Sequence, residues 1–374
     1  MKPLAVPQEM VDYIIDTLSL NPTPREDRHG LASCSLVCRA WSYRASRHLL
    51  KHVDVLALRL KRFMTMASTS ARYRAYTEDI SILGSIEMSD HWNRLFAAVP
   101  RLSSLEIWSN SAEFSYTILD PTIARLRSLE KLSVHCAEWR TLQFFLYTFL
   151  HVETLSLRSI AGPCDWVNHR NEHVLRAAPM TVGKLIVEMF SGDNAPFPSL
   201  YFLVRTTSLS VTNFDVKNIP AISDFLHHAR EDIVHVELAP THEARVARNG
   251  AAQGFTVDLS GLAGCDKIIT IALIVVDVAW AVDLVRAVLS HMPATIKHLR
   301  ITLARGQWHD ILQLLGTCLG ARRDKYLKLD QLELTGLGAE AVSEYEARQL
   351  LADMQSEVES HLPPRYRAVV TVRR

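Results

Sequence analysis

The chain has 374 residues, of which 48% are hydrophobic and 22% are charged, a composition typical of a soluble globular protein. Its 41 basic and 40 acidic residues nearly cancel, so bulk charge indicates neither a nucleic-acid partner nor an anionic membrane. The longest apolar run, residues 268–276, is too short to span a bilayer, and Asp12 and Asp16 interrupt any signal-peptide core. We therefore expect a cytoplasmic or nuclear protein with no membrane partner and no nucleic-acid partner.

Residues 1–52 predict a short all-helical module. Pro7 suits a first helical turn, where its missing N–H is not needed, and apolar residues then recur at helical spacing, namely Met10, Ile14, Ile15 and Leu18. Residues 21–30 contain prolines and charges, which predicts an exposed loop. A second helix is predicted to carry one apolar stripe, formed by Leu31, Cys34, Val37, Cys38 and Trp41. Residues 42–52 extend that helix or form a third one, and residues 53–55 predict the first strand.

The six cysteines lie mostly within apolar stretches, so we expect free, buried thiols in a reducing compartment. Cys34 and Cys38 could form half of a metal site, but no second Cys/His pair lies at the spacing of a zinc finger. Because both lie on the predicted apolar stripe, core thiols are the favoured interpretation. No cofactor and no metal are predicted.

One short pattern recurs through residues 77–335: an apolar residue, two variable residues, an apolar residue, one variable residue and an apolar residue. Its middle residue, called the anchor below, recurs every 23 to 35 residues, close to the period of leucine-rich repeats. The alternation at the end of each copy predicts a short strand with one buried face. The anchors are Ile80, Leu105, Leu132, Leu155, Leu185, Leu209, Val236, Ile271, Leu299 and Leu332.

Helices are predicted between several of these strands. Residues 89–99 and 278–292 carry apolar residues at three- and four-residue steps and are each followed by a proline. Leu142, Phe145, Leu146 and Phe149 form a further apolar stripe. Residues 339–362 predict a long charged helix and residues 366–372 a closing strand, which together could cover the exposed end of a repeat array.

The sequence therefore predicts an α/β chain in two parts, a helical module at 1–52 and a repeat domain at 53–374. The body resembles an irregular leucine-rich-repeat horseshoe, or solenoid, over roughly residues 77–335. One copy, residues 102–110, also carries that family's asparagine, whereas the others lack it at the same offset. A mixed, non-repetitive α/β domain is the alternative.

The N-terminal module resembles the F-box, a motif that runs leucine-proline-x-glutamate-hydrophobic, then a helical apolar series, then valine-cysteine-x-x-tryptophan. Here Val6-Pro7-Gln8-Glu9-Met10 opens the match, with valine in place of the leucine, and Val37-Cys38-Arg39-Ala40-Trp41 closes it. An F-box followed by loose repeats is similar to the large F-box families of mushroom-forming fungi. The resemblance implies a non-catalytic substrate receptor of a Skp–cullin–F-box ubiquitin ligase, which binds a Skp-type adaptor, and through it a cullin, and presents a protein substrate.

The resemblance implies an adaptor-binding surface formed or supported by Pro7, Glu9, Met10, Ile14, Ile15, Leu31, Leu36, Val37, Cys38 and Trp41. Packing of these helices onto the repeats only as a cap is the alternative. For a substrate, the residues between and after the buried strand positions face the concave side of a horseshoe, and four of them are candidate contacts: Trp108, His135, Arg158 and Arg300. Trp108 either anchors a partner or is tucked against the preceding repeat unit.

One segment carries an enzymatic signature. His169, Glu172 and His173 match the H-x-x-E-H arrangement, in which two histidines bind zinc and the glutamate acts as a base. No third ligand is identifiable, so a zinc metallohydrolase is a remote alternative. No G-x-S-x-G nucleophile elbow is present, and the sequence favours a binding protein over an enzyme.

Overall fold

The computed structural model describes residues 7–20, 24–84, 91–109, 128–136, 142, 145–146, 149–158, 179–188, 198–241, 257–276, 278, 280–304, 307–321, 328–337, 344–362 and 369–373. These residues form an α/β chain, as predicted, in which neighbouring strands pair in parallel. The chain divides into two compact units, Met1–Val152 and Glu153–Arg374. The predicted boundary at residue 52 and the predicted horseshoe stay predictions.

The first unit begins with three helices and continues as alternating strands and helices. Its elements are α1 (Gln8–Leu20), α2 (Pro24–Ser35), α3 (Arg39–Lys51), β1 (His52–Leu56), α4 (Leu60–Thr69), α5 (Ala71–Tyr76), β2 (Asp79–Leu83), α6 (His91–Ala98), β3 (Ser104–Ser109) and β4 (Ser128–Cys136). Strands β1 to β4 pair in sequence order.

The second unit repeats the same alternation. Strand β5 (His151–Arg158) belongs to it except for its first two residues. The unit continues with β6 (Met180–Glu188), β7 (Val204–Phe214), α7 (Ile219–His228), β8 (His235–Pro240), β9 (Thr270–Val275), α8 (Ala281–His291), β10 (His298–Ala304), α9 (Trp308–Ala321), β11 (Gln331–Leu337), α10 (Glu344–His361) and β12 (Val369–Arg373). From β6 to β12 each strand pairs with the next one in the chain.

The predicted repeat is confirmed at the level of strand register. Within each unit the anchors lie directly opposite one another, as in the pairs Ile80–Leu105 and Leu299–Leu332. All ten anchors are buried, with at most 4% of the side chain exposed. The apolar residue two positions after each anchor is also buried, whereas the positions between them are mostly polar. One face of each strand therefore packs in the core, which is the condition that fixes strand register.

Most of the predicted helices are also confirmed. Helix α6 buries Leu95 and Phe96, and Val99 is buried directly after it. Helix α8 spans residues 281–291 of the predicted 278–292 segment, and α10 with β12 forms the predicted C-terminal helix and strand. The stripe of Leu142, Phe145, Leu146 and Phe149 is buried, with Phe149 edge-on to Phe96 at a centroid distance of 5.7 Å.

The N-terminal helices correct three predictions. The proline-bearing segment predicted as a loop begins α2 at Pro24, because a proline in the first turn leaves no hydrogen bond unmade. The predicted single helix from Leu31 to Trp41 is two helices, since α2 ends at Ser35 and α3 begins at Arg39. As a result Cys38 is exposed at the start of α3, whereas Cys34 is partly buried against the core. The prediction of a core thiol is wrong for Cys38.

Within the described part of the chain, no helix has both the length and the apolar composition needed to cross a membrane.

Candidate functional site

Helix α1 presents three different faces because its residues follow the helical period. Val11 and Ile15 are buried in a small core with Leu31 of α2 and Ala45 of α3. Asp12 and Asp16, four residues apart, face α3. The third face carries the predicted contact residues Met10 and Ile14, 57% and 45% exposed, and adds Tyr13, which is 73% exposed and was not predicted.

A cluster of charges fixes α1 against α3. Arg44 of α3 donates a hydrogen bond from Nη1 to Asp12 at 3.0 Å. It also donates from Nη2 and Nε to the two carboxylate oxygens of Asp16, at 2.6 and 2.9 Å. His48 Nε2 lies 2.8 Å from the same Asp16 carboxylate. The hydrogen bond from Arg44, with the smaller contributions of His48, lowers the pKa of Asp16 to about 2. A bidentate guanidinium contact restricts orientation as well as distance, so it holds the outer face of α1 in place.

The turn between α2 and α3 exposes two adjacent aliphatic side chains. Leu36 is 86% exposed and Val37 is 60% exposed. Their amides nevertheless donate to the carbonyls of Ser33 and Cys34, at 3.1 and 3.2 Å, so the turn is hydrogen-bonded. A closed turn that exposes two adjacent aliphatic residues presents an ordered apolar surface to solvent.

The structure thus sorts the predicted adaptor-binding residues into two groups. Ile15 and Leu31 are buried and Trp41 is partly buried against them, so these side chains support the module from inside. The others are exposed, namely Pro7, Glu9, Met10, Ile14, Leu36, Val37 and Cys38. Pro7 precedes α1, and its carbonyl accepts hydrogen bonds from the amides of Met10 and Val11. We call the exposed group, together with Tyr13, the N-terminal apolar surface.

In the first unit, the polar face of the sheet brings Trp108 and His135 together. Their rings are parallel within 5°, with centroids 3.6 Å apart, and Trp108 remains 41% exposed. His135 is buried, and its Nε2 lies 3.0 Å from Oε1 of Glu106, whose other oxygen accepts a hydrogen bond from Ser81. Trp108 therefore packs with one face on His135 of the following strand and is still accessible. Its role as an anchor for a partner stays a prediction.

Two leucines missed by the sequence analysis continue this accessible surface. Leu56, Leu83 and Trp108 are direct neighbours in register at the ends of β1, β2 and β3. They are 49%, 37% and 41% exposed. Their signal was present in the sequence, because each lies three positions after an anchor or its equivalent, where the remaining strand β4 places the polar residue His135. This apolar row lies beside the carboxylate of Glu106.

The second unit presents two arginine–glutamate pairs, one three residues after the anchors of β5 and β6 and one a single residue after the anchors of β10 and β11. Arg158 Nε contacts Glu188 at 2.8 Å, and Arg300 Nε contacts Glu333 at 2.7 Å. The carboxylates are mostly buried, 17% and 16% exposed, whereas the arginines are about half exposed, at 48% and 53%. Each guanidinium carries five N–H donors, and these contacts use the one on Nε.

Asn213 reaches the carboxylate of Glu188 because of a bulge in β7 that the sequence analysis did not predict. Strand β7 shifts register between Thr212 and Phe214, and Asn213 has a positive φ of 54°. Its side-chain amide donates to Glu188 at 2.6 Å. A bulge re-aims a side chain, and asparagine tolerates the left-handed conformation better than most residues.

The candidate metal site lies outside the described residues, since His169, Glu172 and His173 fall between residues 159 and 178. Within the described ranges, no group of three or more His, Cys, Asp or Glu side chains is arranged to hold a metal ion. The surfaces described above carry apolar side chains, paired carboxylates, guanidinium donors and an accessible indole.

Comparisons with protein-family models and with curated proteins return no match for this chain.

Proposed function

We propose that this protein is a substrate-recognition subunit of a Skp–cullin–F-box ubiquitin ligase. In this proposal the N-terminal apolar surface binds a Skp-type adaptor and the polar face of the sheet binds a target protein. The observation that carries the proposal is the position of the exposed apolar residues. Met10, Ile14, Leu36 and Val37 belong to the segments that resemble the F-box, and all four are exposed.

Exposure of these side chains favours a partner on physical grounds. Burying a leucine or valine contributes about 1.5–3 kcal/mol, and the module leaves several such side chains in water. Scattered exposed leucines are ordinary. Here Leu36 and Val37 are adjacent on a hydrogen-bonded turn, and three more exposed apolar side chains share one face of α1, namely Met10, Tyr13 and Ile14. A partner helix that covers these residues would gain their apolar area without reordering the turn.

The remainder of the chain supports recognition by a repeat surface. Parallel sheets covered by helices on both faces have nearly continuous apolar strands. In the strands of this protein, buried apolar residues alternate with mostly polar residues. The positions between the buried residues carry the arginine–glutamate pairs and the Trp108–His135 stack. This alternation, with one strand for each copy of the sequence pattern, favours a leucine-rich-repeat-like horseshoe whose open face contacts the target.

Co-purification with a Skp-type adaptor tests the adaptor half of the proposal. Wild type is expected to form a stoichiometric complex, and the double variant Leu36→Asp, Val37→Asp is expected to lose it, because two charges would be buried in the interface. Trp41→Ala is a poor test variant, since Trp41 packs on the module's own core. Leu58→Asp is the matched control, because Leu58 is 96% exposed and lies outside the module.

Two results would reject this half of the proposal: absence of the complex with wild type, or an unchanged complex with the double variant. The target half is tested separately with Trp108→Ala and Arg300→Ala. Both variants are expected to keep the adaptor complex while ubiquitination of associated proteins falls. Loss of adaptor binding in these two variants would contradict the separation of the surfaces.

A further inference from the structure

A cavity of about 460 Å³ lies among the helices of the first unit, and none of its lining residues belongs to either surface of the proposed function. Its walls come from α4, α5 and α6 and carry Lys61, Arg74 and Arg94 beside Met64, Thr65, Ser68, Ala97 and Ala98. The volume falls within the range of small-molecule sites, about 300–1,000 Å³. The cavity therefore combines cationic groups with an apolar wall.

Acidic residues are absent from these helices. None of the residues of α4, α5 or α6 is an aspartate or glutamate. Residues 55–77 contain five lysines and arginines and no acidic residue, although the whole chain carries a net charge of only +1. Such local separation of charge produces a positive potential that the bulk balance conceals.

The three cations of the cavity differ from five arginines elsewhere in the chain. Arg28, Arg44, Arg158, Arg286 and Arg300 each contact a carboxylate. Among the described residues, Lys61, Arg74 and Arg94 have neither an ion pair nor a side-chain hydrogen bond. The hydroxyls of Thr65 and Ser68 donate to the carbonyls of Lys61 and Thr65, so the donors left for a ligand are those of the three cations.

We propose that this cavity binds a phosphate monoester, with the phosphoryl group at Lys61, Arg74 and Arg94 and the carbon skeleton against Met64, Ala97 and Ala98. A phosphate monoester carries a charge of about −1.5 to −2 at neutral pH and three strong acceptor oxygens. Guanidinium groups match such oxygens in pairs, and lysine adds a compact charge. The inference does not depend on the adaptor or on the substrate surface.

Calorimetry on the purified full-length chain tests the proposal with adenosine 5′-monophosphate as probe and adenosine as the ligand without phosphate. We expect the monophosphate to bind and adenosine not to bind. Arg74→Gln and Arg94→Gln are each expected to weaken binding about tenfold, the effect of losing a charged hydrogen bond. Arg62→Gln is the matched control, because Arg62 is exposed on α4, neighbours Lys61 in sequence and does not line the cavity.

A second arm distinguishes a soluble phosphate from a lipid headgroup. Vesicles containing phosphatidic acid are compared with vesicles of neutral phospholipid, using wild type, Arg94→Gln and Arg62→Gln. Binding of either phosphate source that depends on Arg94 and not on Arg62 supports the site and identifies the source. The proposal is rejected if neither probe binds at about 10 mM, a concentration that detects very weak sites. It is also rejected if Arg62→Gln weakens binding as much as Arg94→Gln, since that result means nonspecific attraction.

Discussion

The indole of Trp108 lies flat on the imidazole of His135, with ring centroids 3.6 Å apart and planes 5° from parallel. The two residues occupy facing positions on β3 and β4, and Glu106 holds the imidazole from the neighbouring position on β3. This arrangement limits the rotation of an indole that would otherwise be free on an exposed strand end. A rigid, accessible aromatic group loses little entropy on binding, which is the property expected of an anchor.

The stack should be measurable as a coupling energy. We expect Trp108→Ala and His135→Ala to be non-additive in a double-mutant cycle, with a coupling of about 1 kcal/mol, the size typical of aromatic pairs. Urea denaturation of wild type, both single variants and the double variant gives this value. A coupling below about 0.3 kcal/mol, within the usual error of additivity, would mean that the stack does not hold the indole.

Asp16 should make stability depend on pH in the acid range. Its pKa is lowered from 3.8 to about 2 by Arg44 and His48, so the folded state binds the proton less readily than the unfolded state. The stabilisation is present above pH 3.8 and is lost as pH falls towards about 2. Since Asp16 is 40% exposed, solvent screening keeps the effect small.

Urea midpoints measured from pH 5 to pH 2 test this prediction. The urea midpoint of wild type is expected to fall as the pH falls from 3.8 towards about 2. Asp16→Asn and Arg44→Gln are each expected to make this fall smaller. An unchanged pH profile in both variants would show that the cluster contributes nothing to acid stability.

Two glycines of α9 should respond oppositely to the same substitution. A Cβ at Gly316 would overlap the carbonyl oxygen of His361 in α10, a backbone atom that cannot rotate away, whereas a Cβ at Gly320 meets nothing within 4 Å. We expect Gly316→Ala to destabilise by about 1–3 kcal/mol through overpacking. We expect Gly320→Ala to stabilise by about 0.5 kcal/mol through reduced backbone entropy of the unfolded chain.

Thermal unfolding of the two variants provides the comparison, and each variant is the control for the other. Equal midpoints would contradict the close approach of α9 and α10 at Gly316.

The cysteines should differ sharply in reactivity. Burial raises the pKa of the Cys265 thiol to about 11, and this thiol contacts the carbonyls of Leu226 and Gly261. Cys38 is exposed at the start of α3. Because the thiolate is the reactive species, iodoacetamide at pH 7.5 should alkylate Cys38 and leave Cys265 unmodified until the protein unfolds. Peptide mapping by mass spectrometry measures both sites, and comparable alkylation of Cys265 in the native protein would contradict its burial.

The repeat could be predicted because its signal is local and recurs. An anchor such as Leu209 or Leu299 has apolar neighbours at fixed offsets, and burial of one strand face requires that pattern in every copy. Parallel pairing in register then places equivalent residues side by side. The same reasoning predicted that Arg300 and Glu333 share a face, although it could not predict that they form an ion pair.

The N-terminal module was harder to predict because amino-acid composition gave the wrong secondary structure at the start of α2 and at the turn between α2 and α3. Prolines and charges made residues 24–30 resemble a loop, whereas the structure continues α2 through them. The apolar periodicity of Leu31, Cys34 and Val37 suggested one helix, but the chain turns at Leu36 and Val37 and exposes both. Periodicity alone cannot distinguish an apolar residue that is buried in its own core from one that is left for a partner.

The sequence by itself determined the α/β class, the strand positions and the apolar series of the first fifty residues, because those features depend on periods of two and 3.6 residues along the chain. Only the tertiary structure decided which of those apolar residues stay exposed, which carboxylate each arginine meets, and that Asn213 turns towards Glu188. The contacts of Arg300 with Glu333 and of Asn213 with Glu188 join residues that are 33 and 25 positions apart, which no local pattern records. The unpaired cations around the α4–α6 cavity belong to the same group, since pairing is a property of neighbours in space.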